Sequence, residues 1–96
     1  MNSCILFDIN EATSLDAVVM ALKDKGYWNA WGTDGKIYHL PSNALWKPNC
    51  ELSQAKMDLM EAIESLNHKA PSSNIELKRC IVLPVNPWDG IEGERR

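Results

Sequence analysis

The chain has 96 residues, with 10 Lys plus Arg against 13 Asp plus Glu and a formal net charge of −3. At 45% hydrophobic and 24% charged it has the composition of one small globular domain over residues 1–96. This excludes a disordered or low-complexity chain and argues against a broad cationic nucleic-acid face. The longest apolar runs, such as Ala17 to Leu22, fall far short of the ~20 residues of a membrane span, and Met1–Cys4 has no basic segment leading into an apolar core. The expectation is a cytoplasmic chain with no membrane partner.

In chain order, Ser3-Cys4-Ile5-Leu6-Phe7-Asp8-Ile9 is a short apolar run rich in strand formers and reads as a buried strand. Thr13 with Asp16 three residues on is a variant capping box. Leu15, Val18, Val19 and Leu22 then recur at helical spacing, and Gly26 follows the last turn. Tyr27, Trp28 and Trp31 suit a strand, Thr33-Asp34-Gly35 a turn, and Lys36 to Leu40 a second strand. Pro41 has no N–H to donate, so Ala44 to Lys47 either continues that strand past a bulge or forms a third.

A second helix is expected from Ser53 as N-cap, with Leu52 against Met57 as a hydrophobic staple. Leu52, Ala55, Leu59, Ala62, Ile63 and Leu66 line its apolar side, and Lys56, Asp58, Glu61, Glu64 and Ser65 face away. Asn67 to Asn74 reads as a loop, Ile75 to Leu83 as the last strand, and residues 84–96 as a C-terminal extension containing a turn and a charged tail. The order β-α-β-(β)-α-β predicts an α+β, ferredoxin-like split βαβ domain: an antiparallel sheet with two helices on one face. The other face is then open or pairs with a second copy, a useful source of stability for so short a chain.

Cys4, Cys50 and Cys80 are odd in number and far apart, without zinc-ligand spacing among themselves or with His39 and His68. Reduced thiols packed as small hydrophobes are expected. His39 alternates with Ile37 as a half-buried strand residue, and His68 complements the dipole at the end of the second helix. Asp8 ends an apolar strand, where a buried carboxylate must be paired, hydrogen-bonded or metal-bound. Alternatively it points outward, or caps the loop after it.

Phe7-Asp8-Ile9 closing the first strand, Lys25-Gly26-Tyr27 closing the first helix, and Ser42-Asn43-Ala44-Leu45-Trp46, a serine followed by apolar and aromatic residues, carry a resemblance. Over residues 3–83 the chain resembles the small CRISPR-associated nuclease-like proteins of the spacer-adaptation complex and the related virulence-associated protein D toxins. That resemblance implies a ferredoxin-like homodimer, with Asp8 as a catalytic and metal-binding residue shared across the dimer and Ser42 as its hydrogen-bonding neighbour. The metal implied is Mg²⁺, a hard ion that suits carboxylate oxygen. It would polarise a phosphodiester and activate water. The stretch Trp28–Gly35 has no counterpart in that pattern, and Pro41 disturbs the matching strand.

Trp28, Trp31, Trp46 and Trp88 are many for this length and are read as core fillers or interface anchors rather than a base-stacking platform. Trp88, outside the sheet pattern, is the leading candidate for a partner contact. The favoured function is a homodimeric binding module of a mobile-element, toxin or defence system, with a protein partner placed above nucleic acid and Mg²⁺ the one cofactor that the resemblance suggests. One alternative is a Mg²⁺-dependent endonuclease acting through Asp8. Another is an acidic protein that inhibits a partner, its binding weakened by salt.

Overall fold

The computed structural model describes residues 2–33, 35–70 and 74–85. The expected C-terminal turn and tail, with Trp88, lie outside the described residues, as do Asp34 of the hairpin turn and the middle of the loop around Pro71. The elements are β1 (Ser3–Ile9), α1 (Leu15–Asp24), β2 (Ala30–Thr33), β3 (Lys36–His39), β4 (Ala44–Lys47), α2 (Leu52–Lys69) and β5 (Leu77–Pro84). They give an α+β fold of two helices, an antiparallel three-stranded sheet in the order β4-β1-β5, and a separate antiparallel hairpin, β2-β3. Among the described residues no helix is long and apolar enough to cross a membrane.

β1 is the central strand because its residues alternate between two faces of different character. Ser3, Ile5 and Phe7 are buried, and with Val18 and Leu22 of α1, Ala55, Leu59, Ala62 and Ile63 of α2, and Leu45 of β4 they form the core. Both helices therefore lie on one face of the sheet, and Cys80 and Val82 of β5 pack against the same core. Ser3 is fully buried, and its hydroxyl donates to the Cys50 carbonyl at 2.6 Å.

The helix ends differ in detail from the expected signals. No capping box forms at Thr13; a 3₁₀ turn over Ala12–Ser14 leads into α1, and Ser14 occupies the N-cap without a side-chain cap bond. At the other end the Tyr27 N–H bonds back to the Leu22 carbonyl and the Gly26 N–H to Lys23, with Gly26 at φ +96°. This is a Schellman closure, and its usual apolar contact is represented by two buried residues, Leu22 and Tyr27. α2 begins at Leu52 with Glu51 as N-cap, not at Ser53, and Met57 is half exposed, so it makes no buried staple. α2 also runs on through Asn67 to Lys69, where a loop was expected. The Asn67 side chain bonds both backbone groups of Ile75 and ties the helix end to the approach of β5.

The largest correction concerns Asp58. Expected to face solvent, it is 6% exposed and accepts hydrogen bonds from the Tyr27 hydroxyl at 2.7 Å and the Gln54 amide at 2.9 Å. A buried carboxylate is tolerated only with such partners. The Tyr27 hydroxyl also lies 3.7 Å from the Cys50 sulfur, and the Lys47 ammonium sits 5.3 Å from the Tyr27 ring centre.

Tyr27→Phe leaves Asp58 with one side-chain donor fewer and is expected to cost about 1–3 kcal/mol in urea unfolding. Burial, reinforced by the Asp58 contact, pushes the Tyr27 phenol well above its usual 10.0. A raised folded-state pKa supplies stability below the unfolded pKa that is lost as pH climbs past it. Native stability should therefore fall above about pH 10 more steeply than that of Tyr27→Phe, by up to about 1.4 kcal/mol per pH unit. Equal slopes would show that Tyr27 titrates freely in the folded chain. Gly26→Ala places a Cβ in left-handed backbone 3.4 Å from the Lys47 side chain and is expected to cost about 1–2 kcal/mol.

Candidate functional site

The sheet face turned away from the helices is built in rows, because register partners in antiparallel strands share a face. Trp46, Cys4 and Leu83 face one another across β4, β1 and β5, and an antiparallel bridge from Trp28 to Trp46 extends this row by one position. The next row is Ala44, Leu6 and Ile81. In the third row Asp8 faces Arg79. Beyond it the register slips, so that Ile9 faces Leu77 and Lys78 is left over as a bulge residue.

This face is covered unequally. On the β4 side the β2-β3 hairpin folds over it: Trp31 stacks on Trp46 with ring centres 3.9 Å apart, and the Trp46 indole N–H donates to the Ala30 carbonyl at 2.8 Å. Ala44 is buried there. On the β5 side Ile81 and Leu83 remain 58% and 48% exposed, beside half-buried Leu6 and Cys4. Leu6, Asp8, Asn43, Arg79 and Ile81 line an open groove of about 520 Å³ along this bare half.

Asp8 stands at the end of the groove. Its carboxylate accepts from the Arg79 guanidinium at 3.0 Å and from the Asn43 amide at 3.2 Å. The carboxylate is 45% exposed, so Asp8 points outward rather than being buried, and there it is paired and does not cap the loop after it. Ser42 is exposed in the turn before β4, and the neighbour that reaches Asp8 is Asn43. Among the described residues no three His, Cys, Asp or Glu side chains gather to hold a metal ion. Within one chain Asp8 is the sole carboxylate of this cluster, and its two side-chain partners, the Arg79 guanidinium and the Asn43 amide N–H, are donors rather than the oxygens a hard cation takes.

The tryptophans divide. Trp31 and Trp46 clasp the hairpin to the sheet, Trp28 is 59% exposed at the sheet edge, and Trp88 lies outside the described residues. Burial pushes the Cys4 and Cys80 thiols up, the latter opposed in part by Lys56, so neither is primed as a thiolate nucleophile. Asn43 and Arg79 escaped the sequence reading because only the strand register brings them beside Asp8.

No family model, curated protein or solved structure matches the chain.

The Asp8–Arg79 pair is largely solvated, with Arg79 81% exposed, so it adds little to stability. Asp8→Ala is expected to shift the urea midpoint by the equivalent of only about 0.2–1 kcal/mol. A loss several times larger would reveal a structural role that the solvated geometry does not provide.

Proposed function

We propose that this chain is a small homodimeric binding module whose contact surface is the bare half of the sheet. The observation that carries this reading is the exposure of Ile81 and Leu83 in two successive cross-strand rows with Leu6 and Cys4. A sheet with an apolar second face ordinarily buries it against another layer. The ferredoxin-like reading accompanies this. The order β5-β1-β4 agrees with it when Trp28, bridged to Trp46, stands for an edge strand reduced to one residue pair and β2-β3 is an insertion. The mobile-element, toxin or defence setting rests on the resemblance of Phe7-Asp8-Ile9 and Lys25-Gly26-Tyr27 alone. The nuclease alternative is the weaker one, because Asp8 is already engaged by Arg79 and Asn43.

Sedimentation of the purified chain at micromolar concentration tests the reading. A dimer is expected, and because its contact is apolar, raising the salt from 0.1 to 1 M should leave it intact or strengthen it. A monomer throughout this range overturns the reading. A dimer that dissolves with salt favours a charge-led partner surface instead.

A further inference from the structure

We infer that the β2-β3 hairpin is a hinged strap, latched by Trp31 on Trp46, that lifts from the β4 side of the sheet while the core stays folded, and that its opening sets the width of the chain's apolar face. This goes beyond the homodimeric reading and holds for one copy or two. Three observations lead here. First, the hairpin puts nothing into the core. Of residues 30–32 and 36–39 none is buried, and none belongs to the cluster built around Ile5, Phe7 and Leu59. Ile37 is 58% exposed, and a Cβ added at Gly35 in the turn would meet no atom within 4 Å. A two-stranded ribbon that buries so little opens at a lower free energy than the core it is attached to.

Second, the stem and the latch are different bonds. Trp28 and Trp46 exchange both of their backbone hydrogen bonds, at 2.8 and 2.9 Å, and the Leu40 N–H closes the base by donating to the Asn29 carbonyl. These bonds anchor the stem. Beyond it the contacts with β4 run through side chains: Trp31 stacks on Trp46, and the Trp46 indole N–H donates to the Ala30 carbonyl. The stack and the indole bond can part while the stem stays paired, so both strands swing about the stem together.

Third, what the strap covers belongs to the same rows as what it leaves bare. Trp46 shares a row with Cys4 and Leu83, and Ala44, 2% exposed, shares one with Leu6 and Ile81. With the strap closed, the accessible apolar face ends at β1. With it open, both rows run unbroken across all three strands. Trp31 and Tyr38 are a cross-strand pair and share the hairpin side turned to the sheet, whereas Gly32 and Ile37 form the outer side. The side lifted away is thus the aromatic one.

The Trp46 indole N–H reports the strap directly, because its acceptor is the Ala30 carbonyl. In hydrogen–deuterium exchange of the full chain followed by NMR, its protection should be at least about a hundredfold below that of the β1 amides, and insensitive to low urea because a small opening exposes little surface. An indole as protected as β1, with the same urea dependence, opens only when the whole chain unfolds and overturns the strap. Trp31→Ala should lower the indole protection about tenfold further while β1 is unchanged. Unchanged indole protection, or a fall shared equally by β1, overturns the latch. The same variant should raise the fluorescence of the apolar dye anilinonaphthalene sulfonate about twofold or more, since the β4 ends of both rows are uncovered. A lowered indole protection without that gain overturns the widening of the face.

Discussion

A single buried hydrogen bond, from the Tyr27 hydroxyl to the Asp58 carboxylate, ties the segment that closes α1 to the second turn of α2. Tyr27 follows the Schellman closure of α1, Asp58 sits in the second turn of α2, and Cys50 beside them precedes α2. Lys47, at the end of β4, covers the same ring. Three residues between positions 47 and 58, from β4, the connector and α2, thus converge on the phenol that follows α1. Leaving that carboxylate buried without its partners would cost more than any solvated ion pair here contributes. The alternative packings in which α1 and α2 slide past one another are therefore disfavoured, and the apolar stripes of the two helices stay in register with Ile5 and Phe7.

With the helical face settled, the opposite face carries the freedom in the design. A three-stranded sheet flanked on one side has a second surface to cover, and the chain covers only part of it, through the Trp31–Trp46 stack and the Trp46 indole bond to Ala30. The hairpin is short, and two-stranded ribbons are marginal alone, so this aromatic clasp is what holds it down. Its placement over β4 leaves the apolar rows of β1 and β5 bare and puts the Asp8–Arg79 pair at their end. A solvated ion pair bordering an apolar patch sets direction and register for a partner more than it adds affinity.

Much of this fold was legible in the sequence, and the exceptions share a cause. The apolar run Ser3 to Ile9 and the 3.6 period of Leu15 to Leu22 and Ala55 to Leu66 report burial directly, so β1, α1 and the body of α2 stand where expected. Asp58 was misread because its charge outweighed its position. It lies three residues after Ala55 and four before Ala62, squarely within the apolar stripe, and that spacing was the signal that a partner such as Tyr27 had to exist. α2 outlasts its apparent stop because Asn67 spends its side chain on Ile75 rather than on a turn of its own. The hairpin's separation from the main sheet depends on a contact between two tryptophans fifteen residues apart in sequence, which no local pattern encodes.

Asp8 shows why residue type alone misdirects a functional reading. A carboxylate closing an apolar strand suggests a ligand site, yet pairing across β1 and β5 is antiparallel, so register decides what stands opposite it, and there it is Arg79. The slip just beyond Asp8 takes up Lys78 as an extra residue, so Arg79 keeps its place opposite the carboxylate while Leu77 faces Ile9. Asn43 completes the shell from the turn after Pro41, the same residue that broke the strand pattern. The proline interruption and the bulge, each a defect in strand regularity, together deliver two N–H donors to one oxygen pair. That arrangement gives the carboxylate two partners within the chain, beside the exposed apolar side chain of Ile81.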